Sequence, residues 1–174
     1  TSQRNDAGKT SILEIIMWCL RGDPKRLQDD VRSWLHSVTL AGTVDDELFV
    51  VQFDLPGGVP TGTLTCEADV RPFASDAAFA DTMSQFMMER LGFEAFQIWV
   101  DGQGVATHRW LSYSTVLYLP REAEGAVIGD LVGSGVAQRL VQLFVGIRWA
   151  RTYSACQAAL RQAQSAAASQ NAER

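Results

Sequence analysis

The residues best suited to chemistry stand at the front of the chain: Asn5-Asp6-Ala7-Gly8-Lys9-Thr10-Ser11, running straight into Ile12-Leu13-Glu14-Ile15-Ile16. A glycine-bearing loop that turns into an apolar helix, with Lys and Thr at the junction, is the second half of a phosphate-binding loop. Unbonded backbone N–H groups and the positive end of the helix dipole converge at such a junction, and both favour an anion. Lys9 is then placed to reach the β- and γ-phosphates of a nucleotide, and the Thr10 hydroxyl to hold Mg²⁺. Gly8 lets the backbone approach the phosphates with no Cβ in the way. The pattern G-x-x-x-x-G-K-[ST] asks for a further glycine at position 3, where this chain has Gln3, and only Thr1 and Ser2 precede it. So abrupt a start is expected of a truncated chain.

Two other stretches imitate parts of a nucleotide hydrolase. Ile98-Trp99-Val100-Asp101 has the apolar run and terminal carboxylate of a Mg²⁺-binding strand. Asp101 is followed by Gly102, a hairpin-turn pair, and no catalytic Glu comes after it, so a turn is expected. Gly133-Ser134-Gly135, ahead of Gln138-Arg139, reads as a flexible entry to a helix. Lys25, Arg26, Arg32, Arg71 and Arg109 are cations that could meet a DNA backbone, with solvated surface charge as the plainer reading.

The elements that must position the loop follow from pattern. The first helix is expected from about Thr10 to Arg21, ending at Gly22 before Asp23-Pro24. Ile12, Ile15, Ile16, Cys19 and Leu20 form its buried stripe, widened by Leu13 and Met17, with Ser11, Glu14, Trp18 and Arg21 on the other side. A short helix over Lys25 to Leu35 leads to an antiparallel pair, Ser37 to Val44 and Leu48 to Leu55, joined by Asp45-Asp46-Glu47. Pro56 to Pro60 is a turn, and Thr61 to Ala68 a third strand. Ser75 or Asp76 caps a helix with Phe79, Met83, Phe86, Met87 and Leu91 on one face, stopped by Gly92. The methionines there read as filling for an irregular core.

Phe96 to Val100 and Val105 to Leu111 make a second hairpin, and Val116 to Leu119 a short strand ended by Pro120. From Val136 the chain turns helical, with Val136, Leu140, Leu143, Phe144 and Ile147 inward. A last helix starts near Trp149. Its Trp149, Tyr153, Cys156, Leu160, Ala163 and Ala167 are spaced alternately four and three apart, as in a coiled-coil seam, although the residues from Gln162 onward also suit a frayed tail.

Composition narrows the class. The chain has 174 residues, 47% of them hydrophobic, and a net charge of −5. That length buries a real core, no apolar run reaches membrane-spanning length, and no secretory leader is visible. The negative balance argues against a protein that coats nucleic acid, leaving DNA at most a local patch. Cys19, Cys66 and Cys156 read as reduced core residues of a cytoplasmic protein, and with only His36 and His108 beside them a zinc cluster is not expected.

Asn5-Asp6-Ala7-Gly8-Lys9-Thr10-Ser11-Ile12-Leu13-Glu14 resembles the phosphate loop of ABC-type ATPase heads in the SMC family and its relatives, among them RecF, RecN, SbcC and phage-defence ATPases. The order of elements is similar too. The resemblance implies an α/β fold of the P-loop NTPase kind: an ABC-ATPase-like N-terminal lobe over residues 1–148, with an antiparallel β-meander, and the root of a coiled-coil arm over 149–174. It implies ATP and Mg²⁺ as cofactors. Asn5, Asp6, Ala7 and Gly8 would wrap the phosphates, Lys9 would neutralise their charge, Thr10 would ligate Mg²⁺, and Ser11 would support the α/β-phosphate side. The implied partners are the C-terminal lobe of the same protein, a second head, DNA and a nuclease or effector subunit, with no membrane. ATP hydrolysis would need that C-terminal lobe, since it carries the signature motif and the acidic pair in the family. The family's Q-loop glutamine is not found where Leu117-Tyr118-Leu119-Pro120 ends; Glu122 or Glu124 could stand in, or form an exposed acidic loop. The competing readings are a small P-loop kinase or GTPase, and a non-enzymatic β-rich interaction domain with a dimerising helix.

Overall fold

The computed structural model describes residues 3–24, 27–100, 104–115, 134–147 and 149–172, in two compact units, Thr1–Phe93 and Glu94–Arg174. The expected division after residue 148 falls between two helices of the second unit. The mixed α/β character is as expected. The strand expected at Val116 to Leu119, the turn at Asp101, and Lys25, Arg26, Glu122, Glu124 and Gly133 lie outside the described residues.

The first unit is built on a four-stranded antiparallel meander in the order β1 (Ser37–Val44), β2 (Glu47–Asp54), β3 (Thr61–Cys66), β4 (Asp69–Phe73). β1 and β2 are the hairpin read from the sequence. Their loop is only Asp45-Asp46, and both residues take positive φ (52° and 62°), which matches the twist of the paired strands. β4 was not expected: Pro72 argues against a strand, but it sits on an edge, where a missing N–H is tolerated.

Strand alternation sends Phe49, Val51, Phe53, Leu64, Cys66 and Phe73 to one face, where all are buried. Against that face lies α3 (Asp76–Arg90), whose N-cap Ser75 accepts a hydrogen bond from the Ala78 N–H at 3.1 Å. Its Phe79, Met83, Phe86 and Met87 complete the core as expected, whereas Leu91 lies past the last turn and is exposed. Phe73 stacks on Phe79 with centroids 4.4 Å apart, and Phe53 tilts against Phe79 at 5.2 Å.

Helix α1 runs Gln3–Arg21 and so begins earlier than the expected start near Thr10. Its burial also departs from expectation. Ile12 (61% exposed) and Leu13 face solvent, while Trp18, placed on the polar side by pattern, is fully buried. The helix buries Met17, Trp18 and Cys19 near its C-terminal end. There the largest side chain fills the gap: Trp18 meets Phe53 at 5.1 Å and Phe79 at 6.4 Å. Gly22 ends the helix at φ +76°, its N–H donating to the Trp18 carbonyl. A Cβ there would come within 2.6 Å of the Ala80 Cα, so only glycine lets α1 close on α3. Helix α2 (Asp29–Trp34) is shorter than expected, because its N-cap Gln28 is extended.

The second unit holds the hairpin β5 (Phe96–Val100) and β6 (Gly104–His108), then α4 (Trp110–Ser114), α5 (Ser134–Phe144) and α6 (Ala150–Ala172). The expected extension of β6 to Leu111 gives way to α4, because Trp110 and Tyr113 are drawn into the core with Phe96, Val136 and Leu140. Leu143 is half-buried, but Phe144 and Ile147 are largely exposed rather than inward. α6 lies on β5 through Ala150, Ser154 and Ala158, a face of small residues, and the Ser154 hydroxyl donates to the Gln97 carbonyl.

Candidate functional site

The motif Asn5 to Ser11 lies on α1, where its backbone is helical. An α-helix bonds each N–H to the carbonyl four residues earlier. In this state the amides from Ala7 onward belong to the helix, and the unbonded donors are those of the first turn. The segment composition explains the extension: Gln3, Arg4, Ala7 and Lys9 favour helix, and Gly8 subtracts only about 1 kcal/mol. Lys9 and Thr10 are exposed and Ser11 is half-buried. The structure therefore keeps the two chemical side chains at solvent, on a backbone that spends the amides a phosphate would use.

Below the motif, α1 is fixed by a cluster around Arg32. Its guanidinium lies 5.0 Å from the Trp18 ring centroid, donates to the Gly58 carbonyl from Nε at 2.8 Å, and reaches both Asp76 carboxylate oxygens at 2.8 Å. Arg32 thus ties α2, the Pro56–Gly58 turn and the start of α3 to the base of α1. Its engagement removes it from any free DNA-facing patch.

Arg71 is engaged likewise, on Asp69 at 2.7 Å and Glu89 at 2.6 Å. Its hydrogen bonds hold the Asp69 and Glu89 carboxyls below their usual ranges, with Gln85 assisting on Glu89. Of the expected cations, Arg109 is exposed in the second unit, and Lys25 and Arg26 are outside the described residues. The basic patch considered in sequence is not assembled from Arg32 and Arg71.

The cysteines divide. Burial pushes the Cys19 thiol up to about 12, and burial with the contact to Glu47 raises Cys66, so both are inert core groups. Cys156, expected in the core, is exposed on α6, because the small-residue face of that helix is the one that packs. Among the described residues no group of three or more His, Cys, Asp or Glu side chains is placed to hold a metal. Nor is any helix among them long and apolar enough to cross a membrane.

In the second unit, His108 Nδ1 lies 2.8 Å from the Ser112 hydroxyl and the ring stacks on Phe96 at 5.2 Å. Nε2 is buried with no hydrogen-bond partner, and desolvation lowers the imidazole pKa. A neutral, stacked ring with no orienting acid among the described residues serves packing better than proton transfer. An open cavity of about 500 Å³ is lined by Glu94, Leu143, Gly146, Ile147, Arg151 and Thr152, and of these Arg151 and Glu94 form an ion pair. Sequence reading missed both features; Ser112, four residues after His108, was the available signal.

Comparison with known proteins adds no relative: no family model, no curated protein and no solved structure matches this chain.

Proposed function

We propose that the chain is the ATP-binding N-terminal lobe of a split, SMC-like ATPase head. The observation that carries this reading is the run Gly8-Lys9-Thr10-Ser11 within α1, directly ahead of its apolar stretch, with Lys9 and Thr10 at solvent. In the bound form residues 3–8 leave the helix and their amides turn to the phosphates. Lys9 then neutralises the β/γ charge, and Thr10 holds Mg²⁺. Each helical bond given up is worth about 0.5–1.5 kcal/mol, and each charge-assisted bond gained about 1.5–3. Gly8 weakens the helix at the point where it must open.

The chain's own part is binding and orientation. Hydrolysis requires a water-activating carboxylate and a second head's signature motif, so this chain alone turns over ATP very slowly. Head closure would then act on DNA or an effector subunit, in repair or phage defence.

A fluorescent ATP analogue titrated with and without Mg²⁺ tests the reading. Wild type binds in a Mg²⁺-dependent way, and Lys9→Ala weakens binding at least about tenfold, roughly the loss of one charge-assisted contact. Equal, negligible binding by both proteins overturns it. The helical backbone of residues 3–8 favours the second reading, an interaction domain in which Gly8-Lys9-Thr10 is ordinary helix, and that outcome would select it.

A further inference from the structure

Helix α6 has two faces with opposite fates. Ala150, Ser154 and Ala158 are buried against β5. The 4-3 spaced positions Trp149 (73% exposed), Tyr153 (54%), Cys156, Leu160 (58%), Ala163 and Ala167 are all exposed. Beyond Ala158, every residue from Ala159 to Gln170 is exposed. The seam therefore holds Trp149, Tyr153 and Leu160 at solvent, and a partner helix is what would cover them. The spacing is that of a seam for one.

We propose that this seam pairs with the same seam of a second copy of the chain, antiparallel, in a single register. The reason is size. Large residues stand at the start of the seam and alanines at its end. In a parallel pair, Trp149 meets Trp149 and Ala167 meets Ala167, and the helices must be far apart at one end and close at the other. Interaxial separation follows the side chains at the contact, and a straight pair cannot be wide and narrow at once without voids. Run antiparallel, Trp149 faces Ala167 of the second copy, Tyr153 faces Ala163, and Cys156 faces Leu160. One register aligns all three pairs, each joining a larger residue to a smaller one, so the separation stays even. The positions flanking the seam, Thr152, Gln157, Ala159, Gln164 and Ala166, carry no charge. These flanking side chains set no like charges against one another, and no ion pair among them overrides the choice made by size. Arg139 lies over one face of Tyr153, 4.8 Å from the ring, and leaves about half of that side chain accessible.

The test uses the full chain without nucleotide, so it is independent of the ATP reading. Sedimentation velocity should show a reversible dimer at about 10–100 µM, the strength suited to a seam of three heptads. Ala163→Glu, at an exposed position, should weaken association at least about tenfold while leaving circular dichroism and ATP-analogue binding unchanged. Under mild oxidation Leu160→Cys should form an intermolecular Cys156-to-residue-160 disulfide, located by peptide mass. The wild type should link poorly through Cys156, because the two Cys156 positions are offset by about 6 Å along the axis. Ready Cys156-to-Cys156 linkage in wild type, a monomer at all concentrations, or a dimer indifferent to Ala163→Glu would each overturn the proposal.

Discussion

Helices α1 and α6 each bury residues toward one end, Met17 to Cys19 in α1 and Ala150 to Ala158 in α6, yet they choose their buried faces by different rules. α1 is the more apolar, but it leaves Ile12 and Leu13 outside and is held by Trp18. α6 leaves its largest residues outside and is held by Ala150, Ser154 and Ala158. What decides is the surface each helix meets. In the first unit the indole of Trp18 is received among the rings of Phe53 and Phe79, whereas β5 is met at close range by the small side chains of α6. Hydrophobicity sets how much is buried; shape sets which residues.

The largest break in that comparison is Trp18→Ala. It removes a fully buried ring from contact with Phe53 and Phe79 and should cost the first unit about 3–5 kcal/mol, read by urea denaturation. A result under about 1 kcal/mol would mean that α1 is not held by this residue. Next comes a paired test on α6. Ala158→Leu overpacks the contact with β5 and should cost about 1–3 kcal/mol, whereas Leu160→Ala, two positions on, should cost the monomer less than about 0.5. Equal effects would show that the two faces have been assigned wrongly.

Acid sharpens the contrast between the two units. His108 sits below its ordinary value of 6.5 because burial disfavours the imidazolium. The unfolded chain therefore takes up a proton that the folded one refuses, and the second unit loses stability as pH falls below about 6.5. Hydrogen exchange followed residue by residue should show that loss, and His108→Gln should abolish it. The smallest effect is in the first unit. Asp69 and Glu89 are depressed from 3.8 and 4.5, so their contribution is whole above about pH 4.5 and fades as pH falls through the lower folded values. Both are partly exposed, so the effect is small, and Arg71→Met should flatten it.

Legibility in the sequence followed the range of the interactions. β1–β2 and α3 could be read because an alternating pattern, Asp45-Asp46, Ser75 and Gly92 act within a few residues. β4 could not, because Pro72 is acceptable only at an edge, and edges are settled by the whole sheet. Trp18 was misplaced, and the small face of α6 missed, for the same reason: their partners lie in other elements. At the candidate site the side-chain chemistry of Lys9 and Thr10 is written in the motif. The choice between loop and helix for Asn5 to Gly8 is not, because both states satisfy the same amides with different acceptors.

The meander's two edges differ in one more respect. β4 carries Pro72 and the charged Asp69 and Arg71, while β1 reads Ser-Val-Thr-Leu-Ala-Gly-Thr-Val, with neither proline nor charge along eight residues. Among the described residues no strand pairs with the outer side of β1. Extended chains recruited by this protein under stress would therefore add at β1 and not at β4, so misassembly has a direction built into it. A single lysine in place of Thr39 would act as the gatekeeper that nature placed on the opposite margin.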